Sequence, residues 1–112
     1  MALPHAASGT IIDIRPQGEK CATFSAIVLV KTAQLEIVRL TMPRGKTMPE
    51  HSVPGEISVQ CIEGVIAFSA HGNTQQLHPG ELIFLAGGEP HALQAVEDAS
   101  ALLTILLKKT GA

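Results

Sequence analysis

The 112-residue chain has no tryptophan and no tyrosine, and its only aromatic side chains besides histidine are Phe24, Phe68 and Phe84. No basic run is longer than Lys108-Lys109, and the formal net charge is −2. A nucleic-acid surface needs a basic stripe and usually aromatic platforms, so that class is excluded. Apolar runs such as Ala26–Val30 fall far short of the ~20 residues of a membrane helix. The start, MALPHAASGTIIDIRPQGEK, lacks the basic-then-apolar order of a secretory signal. With Cys21 and Cys61 as the only cysteines, there is no disulfide framework. Reduced thiols and a cytoplasmic location are the expectation.

What is present is short apolar runs punctuated by 10 glycines and 7 prolines, the pattern of an all-β sandwich or barrel. One domain fits this length, read as an N-terminal arm over 1–20 and a barrel over 21–112. Phe24–Lys31 and Gln34–Met42 read as strands, with Leu35 and Ile37 facing the barrel and Glu36 opposed to them. Ile57–Ile62 alternates, so Ile57, Val59 and Cys61 point inward and Ser58 and Gln60 outward. Val65–Ala70, Thr74–Leu77 and Leu82–Leu85 follow as strands, with a hairpin turn at His71-Gly72-Asn73. His91, Leu93 and Ala95 share one face of His91–Val96. Ala101–Leu107 is apolar on both faces, so something must cover both; a partner subunit is the simplest cover, and a homodimer is expected. Thr47–Pro54 holds two prolines and is excluded from a helix interior.

Two stretches carry a more specific signal. The first has Gly45, five residues, His51, Ser52, Val53, three residues, Ile57, and six residues to Gly64. The second has Gly80, five residues, Ala86, Gly87, Gly88, two residues, His91, three residues and Ala95. In spacing these resemble the two motifs of the small single-domain cupins, G-x5-H-x-H-x3,4-E-x6-G and G-x5-P-x-G-x2-H-x3-N. The resemblance implies a jelly-roll β-barrel, also called a double-stranded β-helix. In metal-binding cupins the two histidines and the glutamate of the first motif, with the histidine of the second, hold one divalent metal.

Carried over by position, His51 and His91 remain, Val53 stands at the second histidine and Ile57 at the glutamate. Glu56 is adjacent to that position but alternates away from it. Two of four implied ligands are therefore apolar. Cys61 shares the inward parity and is the candidate third ligand if zinc, iron, nickel or manganese is bound. No cofactor is certain.

The expected pocket is lined by His51, Val53, Ile57, Val59, Cys61, His91 and Leu93, with Ala95 beyond them. Phe68 and Phe84 are expected in the core or beside this pocket. An apolar cup with a few convergent polar groups is the general form of a small-molecule site. The leading expectation is a binding protein for a small, partly apolar molecule, with His51 and His91 as polar anchors and little or no catalysis. The alternative is a metal-dependent dioxygenase or isomerase using His51, His91 and Cys61. A metal-free epimerase of the same fold would want a tyrosine acid, which is absent, and the aspartates are only Asp13 and Asp98.

Overall fold

The computed structural model describes residues 5–107. The last residues assigned to the barrel, 108–112, and the Lys108-Lys109 pair lie outside the described residues. Nine strands follow in order: β1 Ser25–Lys31, β2 Leu35–Met42, β3 Thr47–His51, β4 Ile57–Glu63, β5 Ile66–Ala70, β6 Asn73–Leu77, β7 Leu82–Leu85, β8 His91–Ala95 and β9 Ala99–Leu106. Among the described residues one 3₁₀ turn, Gly18–Ala22, precedes them. The strands form a five-stranded sheet, β1-β2-β9-β4-β7, and a four-stranded sheet, β3-β8-β5-β6. All pairings are antiparallel. This is the all-β jelly-roll barrel that the motif spacing implies.

Two-residue alternation explains which side chains meet between the sheets. Val38, Leu40 and Met42 from β2, and Ile57, Val59 and Cys61 from β4, face Ile66 and Phe68 from β5 and Leu93 and Ala95 from β8. The parity expected for β2 is thereby reversed. Leu35 and Ile37 lie on the outer face, and Glu36 shares the inner parity. Glu36 sits at the strand end, where Lys31 Nζ donates to it at 3.0 Å, so its charge stays at the rim.

β3 was not legible as a strand, because Pro49 removes a ladder donor. The strand lies at the edge of its sheet, where a missing N–H costs no pairing. Although it borders a cavity together with Phe68, as the alternative expectation allowed, Phe84 is not a core residue. It pairs opposite Ser58 on the outer face of the larger sheet and is 61% exposed.

The turn between β5 and β6 places His71 at φ 55° and Gly72 at φ 69°, the backbone that a two-residue hairpin requires. Gly64 ends the first motif for a steric reason. Its φ is 74°, and a Cβ there would run into the Asp98 carbonyl and Ala99.

The N-terminal arm is tied to the larger sheet. Ala6 N–H donates to the Leu29 carbonyl at 2.9 Å. Arg39 Nη2 donates to the Asp13 carbonyl. Glu63 accepts from Gln17 N–H, from Gly18 N–H at 3.1 Å and from Ser100 Oγ at 2.7 Å. Thr41 Oγ1 donates to the Thr23 carbonyl at 2.8 Å. This cover explains why Thr41 and Ser100 are buried although both point out of the barrel.

Candidate functional site

The site begins with one register pair. β3 runs antiparallel to β8, and His51 stands opposite His91. A row of inner-face positions continues from His91 to Ala70 on β5 and from Ala70 to Asn73 on β6. The next row inward runs Leu93, Phe68 and Gln75. The smaller sheet therefore offers two imidazoles, one phenyl ring and two carboxamides toward the barrel interior at one end.

The imidazoles of His51 and His91 lie 4.4 Å apart between centroids, tilted by 55°. Phe68 stacks on the other side of His91 at 5.7 Å and 5°. His51 Nδ1 is 3.1 Å from the Pro49 carbonyl oxygen, and His91 Nδ1 is 3.0 Å from the Glu89 carbonyl oxygen. A carbonyl can only accept, so each Nδ1 carries the proton. In the neutral form of such a ring Nε2 is the acceptor. His91 is buried and His51 exposed, so the pair spans from the barrel wall to solvent.

An open cavity of about 390 Å³ is lined by Phe68, Ala70, His71, Asn73, Gln75, Ile83, Phe84, Leu85 and Ala86, and neither His51 nor His91 is among these residues. It is mostly apolar with two carboxamides at its edge. Sequence reasoning missed Ala70, Asn73 and Gln75. The alternation of β5 and β6 relative to His91 was the signal that points to them. His71 Nδ1 lies 3.4 Å from Glu89 Oε2 at the rim.

The other expected lining residues separate into two groups. Val53 and Ile57 belong to the same end as the histidines, where Gly88 N–H donates to the Val53 carbonyl at 2.8 Å. Val59, Cys61, Leu93 and Ala95 sit in the closed core, between 0% and 3% exposed. None of the four is among the residues lining the cavity beside Phe68, which corrects their assignment as wall of that pocket.

Cys61 is corrected most firmly. Its Sγ approaches the Glu63 carbonyl at 3.4 Å and the Gly64 carbonyl at 3.6 Å. Val96 N–H donates to the Val65 carbonyl, placing that turn beside the far end of β8. His91 begins β8, and four residues of strand span about 13 Å. The thiol therefore cannot complete a site with the two imidazoles. Burial pushes it up to about 11, with the Glu81 carboxylate adding to the effect.

The divalent metal implied by the motif resemblance does not fit these residues. Val53 and Ile57 carry no donor atoms, and Glu56 is exposed. Among the described residues no group of three His, Cys, Asp or Glu side chains is placed to hold a metal ion. Two imidazoles fall short of the three or four protein ligands of a zinc or non-haem iron site.

Comparison with known proteins agrees with the architecture. Residues 38–107 match the cupin domain family. No curated protein matches the chain. A conserved protein of unknown function from Streptococcus pyogenes is 23% identical with a TM-score of 0.77, covering 98% of this chain and 97% of its own. An RmlC-like cupin from Desulfovibrio desulfuricans is 24% identical at 0.70, covering 91% and 97%. A predicted oxalate decarboxylase from Thermotoga maritima is 20% identical at 0.69, covering 76% and 81%. At these identities the likeness is one of fold. No helix among the described residues is long and apolar enough to cross a membrane.

Proposed function

The chain belongs to the cupin domain family, and on that premise we propose that it binds a small, partly apolar molecule at the His51–His91 end of the barrel, with little or no catalysis. The observation that supports this reading is that His91, which faces His51, pairs with Ala70 and stacks on Phe68, two wall residues of a mostly apolar cavity that neither imidazole itself lines. Two bare Nε2 atoms are acceptors, so the ligand should bring a hydroxyl or acid proton to them. The apolar part of the ligand would rest against Phe68, Ile83 and Leu85, and Asn73 and Gln75 would orient a carbonyl or second hydroxyl. The fold neighbours do not fix an activity, because one fold hosts many functions.

Thermal-shift screening with small hydroxy acids, keto acids and ketones tests this. A stabilising compound should raise the melting temperature of the wild type and lose most of that effect in His91→Ala and Asn73→Ala. A panel in which no compound stabilises the wild type would overturn the reading. So would a compound that stabilises the wild type and His91→Ala equally.

A further inference from the structure

One seam of the barrel brings open carboxamides against an apolar wall. β6 ends the four-stranded sheet and β7 ends the five-stranded one. The cavity of about 390 Å³ takes Asn73 and Gln75 from β6, and Ile83, Phe84 and Leu85 from β7, with Phe68 from β5. Register sets Asn73 opposite Ala70 and Gln75 opposite Phe68, so both carboxamides share the inner parity of β6. They are two residues apart, which puts their Cα atoms about 6.5–7 Å from each other. Both residues are exposed, so their polar ends are open to an arriving molecule.

The class of that molecule follows from what the wall offers and lacks. No lysine, arginine, aspartate or glutamate lines the cavity. Its one ionisable side chain, His71, already faces the Glu89 carboxylate at 3.4 Å. A charged ligand would leave water for a wall without a counter-charge, so the wall favours a neutral one. A carboxamide carries an acceptor oxygen beside donor N–H groups. Its match is an edge that also holds a donor beside an acceptor, as Asn and Gln match the donor–acceptor edge of adenine. A ketone or ether satisfies only half of that match. Phe84 supplies a platform: it is 61% exposed at the lip of the cavity, and a phenyl face open to water gains from a flat ring laid on it. The volume lies at the small end of the ~300–1,000 Å³ range of ligand pockets, which suits one or two rings.

We propose that the cavity between β6 and β7 takes an uncharged planar heterocycle with a lactam edge, its ring lying on Phe84 and its N–H and C=O meeting the carboxamides of Asn73 and Gln75. This rests on the reading that a small molecule binds at this end of the barrel, and it names the class. Ile83 and Leu85 cover the part of the ring away from the lactam edge, where a sugar would present hydroxyls to an apolar surface.

Isothermal titration calorimetry at pH 7 tests it with 2-pyridone, uracil and hypoxanthine, with their N-methylated forms, and with benzoate. At least one of the three lactams should bind the wild type with a dissociation constant below about 1 mM. Its N-methylated form should bind about tenfold more weakly, the scale of one lost hydrogen bond. The double variant Asn73→Leu with Gln75→Leu, and separately Phe84→Ala, should each weaken the lactam about tenfold, whereas Gln76→Leu, on the outer parity of the same strand, should not. Because all four positions are exposed, the variants should keep the wild-type circular dichroism spectrum. If no lactam binds, the proposal is overturned; where a small acid or ketone still stabilises the wild type but not His91→Ala, the ligand class alone falls and the small-molecule site stands. N-methylated forms as tight as their parents, or a double variant that binds as the wild type does, overturn the lactam edge. Benzoate bound more tightly than every lactam overturns the neutral ligand, and a Phe84→Ala that binds as the wild type does overturns the stacking.

Discussion

His51 and His91 face each other at 4.4 Å because β3 and β8 place them in register, and each ring is held by the backbone carbonyl two residues before it. Such carbonyl-to-Nδ1 contacts are also what orient histidines in metal sites. Here the remaining ligand positions hold Val53 and Ile57. The pair should therefore bind divalent metal weakly. Protein purified without a chelating tag should carry less than one equivalent of zinc, iron, nickel or manganese, and EDTA should leave its melting temperature unchanged. One equivalent of metal that disappears in both His51→Ala and His91→Ala would contradict this.

Phe68 supports His91 from behind and is 1% exposed. Phe68→Ala should cost about 3–5 kcal/mol in urea unfolding, the range for deleting a buried phenyl group. Phe68→Leu keeps most of the volume and should cost under about 1.5 kcal/mol. If Phe68 carries the ring of His91 as well as the core, Phe68→Leu should weaken the binding of any stabilising compound more than it weakens the fold. Equal losses would reduce Phe68 to a packing residue.

The fold was legible because its signals are local: Gly and Pro turns, two-residue alternation in β4 and β8, and two motif spacings. The site was legible only in part. His51 and His91 converge as their motif positions imply, but parity alone cannot say how far along a strand a side chain lies. Cys61 shares the inward face of β4 yet sits at the opposite end of the barrel, with its thiol on Glu63 and Gly64. Parity also failed on β2, where both faces are apolar and Leu35 and Ile37 gave no contrast with Val38 and Leu40. Ala70, Asn73 and Gln75 carry no motif, and only strand register brings them beside His91 and Phe68.

Both thiols titrate out of range of ordinary cysteine. Burial pushes Cys61 up to about 11, with Glu81 adding to it, and burial followed by the Glu63 carboxylate does the same to Cys21. A folded-state pKa above the unfolded value of 9.0 favours the protonated form in the fold. The resulting stability is complete below pH 9 and is lost as pH rises toward 11. The melting temperature should fall over that window, and Cys21→Ala with Cys61→Ala should flatten the fall. At pH 8 neither thiol should react with iodoacetamide until the protein unfolds; rapid labelling of the native protein would show that the core opens around them.

Glu63 joins the arm to the sheet. Burial raises its pKa, but hydrogen bonds from Ser100, Gln17, Cys21 and Gly18 outweigh this and hold it below the ordinary carboxylate value. For a lowered pKa the sign is the reverse of the thiols. The stabilisation is present above about pH 4.5 and fades as pH drops through the folded value. Glu63→Gln keeps the shape and loses the charge, so at pH 7 it should cost about 1–2 kcal/mol, the scale of hydrogen bonds to a charged acceptor. Its stability should then change less than that of the wild type between pH 5 and 3. Hydrogen exchange locates the effect: the amides of Gln17 and Gly18 should exchange faster in the variant while β4 and β9 stay protected. Uniform acceleration through both sheets would mean that Glu63 holds the barrel rather than the arm.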